Sequence, residues 1–453
     1  MPEAKSILTQ ALEKARSPLF FYSASNVACA FVGLLQAVLT ANILGPALIG
    51  ITAIIAGING VALNFLDVRL VDLATKLYYR REMPNGITVK EYQASVIQMS
   101  FLVYTLLGAL FFVTGFLANY FIVHLFTSSE VSPRWFLANA LFMSLWYVVG
   151  PLGYMQRFSG KFYHMGAWRF VAAVTSTGVF AASLLTIRSL DGYYLGIVLS
   201  SIINFVIMAA LSVYILQKYE HLPLTHGWYP QALHDFFHSK RFLFFGNLFG
   251  YVKLGHRSAD VLAVGYFCND SITGLYKFAR SILDSILVLF DSMNQVYQPR
   301  FMNLIKENAF EKYRLLAKRV MVGSAVFTVL VLLSEYTLLP LFIKYVLAGK
   351  FYGAQSAVML LSATFFFVAG MHTWMWPLYV SRGQIGIYTM YSIGALAAQY
   401  LVGVGLFIAF GSQSVNWFAC GYLSYYLVLF TLTYFQLRQA HPQATPFAGY
   451  VYE

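Results

Sequence analysis

The sequence predicts an all-α polytopic membrane protein, with about twelve transmembrane helices in two six-helix bundles around a central cavity. Of its 453 residues, 59% are hydrophobic and only 11% charged. Soluble domains carry about 25% charged residues, so this chain has too few to cover a water-facing surface. Continuous apolar runs such as Leu19–Leu44, Gly323–Leu341 and Tyr352–Gly370 recur along nearly its whole length. Each reaches or approaches the ~20 residues that take a helix across a hydrocarbon core. The runs are continuous in Leu, Ala, Val and Phe rather than alternating, and backbone in lipid must satisfy its own hydrogen bonds, so they are helices.

In chain order the expected helices are 19–43, 50–77, 93–118, 134–155, 166–187 and 193–216, then 241–266, 272–298, 319–341, 353–380, 386–410 and 415–437. The first pair is joined by the short turn Leu44–Gly50, which contains Gly45 and Pro46. The stretch Leu117–Trp135 is the one sizeable outside connection. Pro151 kinks the fourth segment and Pro377 the tenth, since proline removes a helical hydrogen bond. The linker 217–240, with four histidines and no zinc-like spacing, separates an N-terminal bundle (1–216) from a C-terminal bundle (241–453). A second basic connection, Phe301–Lys318, reads as a helix lying along the membrane surface. The turn Gly265–Tyr276 sits where Leu44–Gly50 sits in the first half and is likewise closed by a glycine, Gly274 against Gly50. That suggests two parallel repeats, as in several transporter folds.

The net charge of +12 invites a nucleic-acid reading. Such binders gather their basic residues on one face or arm, whereas most lysines and arginines here lie between apolar segments. With the N-terminus inside, inside segments hold 21 of these residues and outside ones only Arg134, Arg188, Lys344 and Lys350. The asymmetry places both termini in the cytoplasm. Residues Met1–Ser17 lack the apolar core of a signal peptide and are expected to be retained. The scattered cysteines Cys29, Cys268 and Cys420 give neither a disulfide framework nor a metal site, and no cofactor is expected. No nucleotide-binding glycine loop followed by Lys-Ser/Thr is present. No large outside loop carries paired acids, so no enzyme activity is expected.

Ionisable residues inside a membrane are costly and mark functional sites. The seventh segment carries Lys253, His256, Arg257 and Asp260 at offsets of zero, three, four and seven, on one helical face. The eighth carries Lys277, Arg280, Asp284 and Asp291, continued by Asn294, Gln295 and Gln298, as another stripe. The second holds a looser group, Asp67, Arg69, Asp72 and Lys76, with Arg69 about 28 Å from the outer turn by helical rise. Two readings compete: acids and bases neutralising each other in packed pairs, or the wall of a hydrated cavity. The density of charge favours the cavity. Its excess of cations would suit an anionic head group such as a pyrophosphate, which arginine binds through paired hydrogen bonds. Glu335 reads as interfacial, with a proton or ion site as the alternative, and Trp374, Trp376 and Tyr379 as belt aromatics, with sugar stacking as theirs.

Several short stretches then resemble the Wzx-type polysaccharide flippases of the multidrug/oligosaccharidyl-lipid/polysaccharide exporter superfamily. In the first half these are Asn42-Ile43-Leu44-Gly45-Pro46 with Gly50, and Phe65-Leu66-Asp67-Val68-Arg69-Leu70. In the second half they are Ser258-Ala259-Asp260-Val261-Leu262, Gly265-Tyr266-Phe267, Gly274-Leu275-Tyr276-Lys277-Phe278-Ala279-Arg280 and Gln298-Pro299-Arg300. The resemblance implies a bacterial plasma-membrane flippase carrying an undecaprenyl-pyrophosphate-linked oligosaccharide. A polysaccharide polymerase or glycosyltransferases would be its partners, and its cavity would open to each side in turn. Cargo binding would fall to Arg69, Lys253, Arg257, Lys277 and Arg280, with His256 on the same face. Asp67, Asp260, Asp284 and Asp291 would be available for ion coupling. The alternatives are a proton- or sodium-coupled small-molecule exporter and a membrane glycan-modifying enzyme. The absence of any acid in the first segment departs from the cation-site pattern of many multidrug extruders and lowers the exporter alternative.

Overall fold

The structure is a computed structural model that describes residues 18–66, 77–78, 88–158, 162–218, 251–252, 254–256, 258–381, 384–411 and 414–440. Those residues are helical throughout, apart from short connections, and contain no strand. The long helices are α1 (Pro18–Leu66), α2 (Val89–Ile122), α3 (Pro133–Phe158), α4 (Phe162–Ile187) and α5 (Leu190–Lys218), followed by the short α6 (Ala259–Phe267). Next come α7 (Asp270–Lys306) and α8 (Phe310–Tyr345), the short pieces α9 (Gln355–Ser362), α10 (Phe365–Gly370) and α11 (Trp376–Ser381), then α12 (Ile385–Phe410) and α13 (Val415–Ala440). Eight helices among the described residues are long and apolar enough to cross a membrane. The difference from the expected twelve has identifiable sources. The first two segments merge into α1, α3 is not among the eight, α7 is too rich in charge, and the seventh segment is described only in part. This is a multi-pass membrane protein.

The chain divides into two compact units. One comprises Met1–Leu39, Ile55–His124 and Ser128–Tyr251, and the other Thr40–Ile54, Leu125–Thr127 and Val252–Glu453. In the first unit, α2 starts on a capping box. Thr88 accepts from the Glu91 N–H at 3.3 Å, and the Glu91 carboxylate accepts from the Thr88 N–H at 3.0 Å. Along α2 the outward side chains Leu106, Leu110, Val113 and Leu117 recur at helical spacing. The inward face mixes large side chains such as Tyr104 and Phe111 with the small and polar Gly108, Gly115 and Asn119, the latter of the kind that lets helices approach in lipid. There Asn59 donates to Asn139 at 2.6 Å and Asn119 donates to Asn59 at 2.8 Å, a chain of buried amides joining α1, α2 and α3.

The second unit holds the middle of α1. As one straight helix α1 would run about 70 Å at 1.5 Å per residue, more than twice the ~30 Å core. It breaks at Gly45, whose φ of 74° and ψ of 177° suit glycine alone. Pro46 brings no N–H, so the last carbonyls of the outgoing turn need other donors. Lys350 Nζ supplies one, donating to the Asn42 carbonyl at 2.7 Å.

At this break the starts of two helices touch backbone to backbone. A Cβ on Gly50 would lie 1.8 Å from the Asp270 carbonyl oxygen, and one on Gly274 would lie 1.8 Å from the Pro46 carbonyl oxygen. The contact is reciprocal: each glycine, four residues into its helix, meets the first-turn carbonyl of the other. The two turns paired from the sequence are therefore packed against each other.

Beyond it, α7 continues to Lys306 and α8 starts at Phe310, with Asn308 at φ 52° between them. The basic stretch Phe301–Lys318 is therefore the end of one helix and the start of the next, not a surface helix of its own. Asparagine tolerates the left-handed conformation that makes the corner. The expected tenth helix is broken into α9, α10, a π turn at Met371–Met375 and α11. Pro377 follows the π turn, whose wider winding takes up the clash a proline ring makes with the carbonyl four residues back.

Candidate functional site

The charged stripes of the sequence can be followed through α6 and α7 of the second unit. Asp260 and Arg280 are both 3% exposed. Arg280 Nε lies 3.7 Å from Asp260 Oδ2, and its Nη2 lies 3.7 Å from Asp284 Oδ1. The guanidinium carbon sits 4.1 Å above the Tyr422 ring, a cation–π contact in a dry setting. Asp260 is held in turn by the Tyr276 hydroxyl at 2.9 Å and the Val261 N–H at 2.8 Å. The charge of Arg280 thus meets two carboxylates and one ring face. Its Nη1 is buried with no hydrogen-bond partner among the described residues.

His256 is also buried. Its ring is stacked on Tyr425 and Tyr422, with centroids 3.8 and 4.3 Å away, and meets Tyr426 edge-on. His256 Nδ1 and Gln399 Oε1 are 2.8 Å apart, which puts the ring proton on Nδ1 when Gln399 accepts. The aromatic box comes from α13, whose Tyr422, Tyr425 and Tyr426 share a face at offsets of zero, three and four. That spacing was legible in the sequence, but nothing there said which residue it would enclose.

Lys277 is half-buried; its carbonyl accepts from the Ser281 hydroxyl at 2.9 Å, but its ammonium makes no hydrogen bond or ion pair with a described residue, while the Asp284 side chain is 53% exposed. Counting Lys277 and Arg280 against Asp260 and Asp284, the described part of the stripe is electrically balanced. Asp67, Arg69, Lys253 and Arg257 lie outside the described residues, as does the side chain of Asp291.

Further along α7 the stripe serves packing. Gln298 donates to the His372 carbonyl at 3.0 Å, Thr373 donates to Asn294 at 2.6 Å, and Tyr313 donates to the Trp374 carbonyl. These partners belong to the π turn, which frees carbonyls that an α-helix would use. Asn294 and Gln298 are thus tied to the π turn. Two expectations change. Trp374 and Tyr379 are fully buried rather than belt residues, and Glu335 is buried and accepts from Ser362 at 2.6 Å rather than lying open at an interface.

In the first unit, Arg169 lies seven residues into α4, beside the start of α1, within the helix expected over 166–187. Its Nη1 donates to the Tyr22 hydroxyl at 2.7 Å and to Asn26 Oδ1 at 3.4 Å.

Residues 18–305 match the family model described as polysaccharide biosynthesis protein, which is more than half of the chain. The chain belongs to the polysaccharide biosynthesis protein family. No curated protein matches the sequence. Among solved structures, the fold of this family member is similar to the lipid II flippase MurJ in an inward closed conformation, at TM-score 0.63 and 13% identity, covering 92% of this chain and 87% of that one. It is also similar to the MATE multidrug transporter DinF-BH, at TM-score 0.59 and 16% identity, covering 95% and 96%. A Vibrio cholerae MATE transporter, VcmN, aligns at TM-score 0.57 and 13% identity, covering 97% and 99%. At these identities the likeness is one of fold. The family match agrees with the resemblance carried by the motifs of the sequence.

Proposed function

We propose that this polysaccharide biosynthesis family member is a flippase. It would move an undecaprenyl-pyrophosphate-linked oligosaccharide from the cytoplasmic to the outer leaflet of a bacterial plasma membrane by alternating access. The observation that carries the reading is the family match over residues 18–305. The cargo tail stays in the bilayer, while pyrophosphate and glycan cross beside polar helix faces, and binding shifts the population between inward- and outward-open states. Both termini are cytoplasmic in this proposal, and the partners are the lipid-linked cargo, membrane lipid and a polymerase or glycosyltransferases.

The charge balance refines the roles. Asp260 and Asp284 commit Arg280, so Arg280 acts chiefly as a positioned internal charge. Lys277 is the uncommitted described cation of the stripe, and Lys253, Arg257 and Arg69 complete the proposed phosphate contacts. Asp67 and Asp291 are the proposed coupling acids not tied to Arg280.

The test is translocation in vesicles reconstituted with the full chain, comparing a lipid-linked oligosaccharide with a cationic dye. Wild type is expected to flip the oligosaccharide, with Arg257→Ala and Lys277→Ala losing most of the rate while remaining folded. Export of the dye with no movement of oligosaccharide would overturn the flippase in favour of the small-molecule exporter.

A further inference from the structure

The described cations of the second unit are partly spoken for, which draws attention to Arg169 in the first. It projects from α4 toward α1, and the approach is set by Gly166 one turn earlier. A Cβ there would meet Ser25 Oγ at 2.8 Å and the Tyr22 Cα at 3.2 Å. Tyr163 packs on Phe21 at 4.4 Å just below, and Thr177 donates to Gln36 at 3.2 Å further up. The guanidinium is thus pinned against α1, with its carbon 5.8 Å from the Tyr22 ring centroid.

What Arg169 lacks among the described residues is an anion. Both of its hydrogen bonds use Nη1 and go to neutral oxygens, which leaves the Nε and Nη2 donors without a partner among the described residues. No described carboxylate lies within ion-pair distance of it. Of the described acids of this unit, Glu91 caps α2, Asp191 pairs with Arg134 and Trp135, and Glu130 lies in the exposed connection before α3. A cation inside a membrane helix without a counter-charge is costly, whereas a fork of free, aimed N–H groups is the geometry that suits phosphate. By helical rise Arg169 lies about 27 Å from the outer end of α4, the depth at which the sequence places Arg69.

We propose that Arg169, aimed by Tyr22 and Asn26, is a phosphate-binding position of the N-terminal unit that receives the pyrophosphate of the cargo as it enters from the cytoplasmic leaflet. The proposal rests on the flippase reading for the source of the phosphate. The chemistry alone would equally admit a bulk phospholipid head group, and the experiment separates the two.

Purified full-length wild type, Arg169→Gln, Arg169→Lys and Tyr22→Phe are compared for binding of undecaprenyl pyrophosphate, undecaprenol and phosphatidylglycerol, after each is shown to be monodisperse and to unfold near the wild-type temperature. Arg169→Gln is expected to weaken undecaprenyl pyrophosphate by about tenfold or more and to leave phosphatidylglycerol unchanged. Arg169→Lys, a point charge without the fork, and Tyr22→Phe, which removes only the aiming hydroxyl, are expected to fall between. Binding within twofold of wild type in Arg169→Gln overturns the site. Equal loss of phosphatidylglycerol overturns the cargo assignment and makes Arg169 a lipid anchor. If Arg169→Gln does not fold, an unchanged Tyr22→Phe is the overturning result. Wild type that holds undecaprenyl pyrophosphate no better than undecaprenol overturns the flippase reading itself, an outcome distinct from loss confined to the variants.

Discussion

Arg280 and Asp260 show how one residue's environment decides its role. Both are 3% exposed, and removing one partner of a buried ion pair costs about 3–5 kcal/mol because the other charge is stranded. Here Asp284 still reaches Arg280, so Asp260→Asn is expected to destabilise by about 2–3 kcal/mol. Adding Arg280→Met to Asp260→Asn should recover part of that loss, since no stranded guanidinium remains. Thermal unfolding of the single and double variants in detergent checks this. A double variant less stable than the sum of the singles would refute the pairing. The sequence placed these residues on facing stripes by their spacing alone. It left open whether they pair or line water, because spacing says which side of a helix a residue occupies and nothing about what stands opposite.

At the scale of elements, the break in α1 and the start of α7 are coupled through Gly50 and Gly274. A methyl at either would meet a backbone carbonyl, which has no rotamer through which to yield, so the two helix starts must move apart. Gly50→Ala and Gly274→Ala are each expected to cost about 1–3 kcal/mol, the range for overpacking. Because the contact is reciprocal, the separation forced by one substitution makes room for the other. The double variant should therefore cost clearly less than the sum, a coupling that a thermal-unfolding cycle measures. Strict additivity would mean that the two glycines pack independently. Both turns were visible in the sequence as glycine-closed corners at matching places, but that they touch was not. The π turn before Pro377 was hidden in the same way. The sequence announced a kink there, while the carbonyls it frees, and their capture by Gln298 and Tyr313, follow only from the side chains that surround it.

For the whole molecule, the proposed topology makes a prediction that needs no ligand. In a background with Cys29, Cys268 and Cys420 replaced by alanine, Arg134→Cys should be labelled by an impermeant thiol reagent from outside intact cells. Lys218→Cys should be labelled only in inverted vesicles. The opposite pattern would reverse the orientation drawn from the basic residues.

What the sequence determined by itself is the membrane class, the all-helical fold and the family. Each depends on hydropathy, breakers or short motifs, and these are properties of local stretches read against a fixed solvent thickness. What only the tertiary structure decided is which groups face the buried polar residues: two acids at Arg280, a π turn at Asn294 and Gln298, Lys350 at the Asn42 carbonyl. The structure likewise shows the Arg169 guanidinium held by Tyr22 and Asn26, contacts no local stretch of sequence displays. The physical reason is that a buried polar group's free energy depends on the group facing it, and facing groups come from helices far apart in the chain.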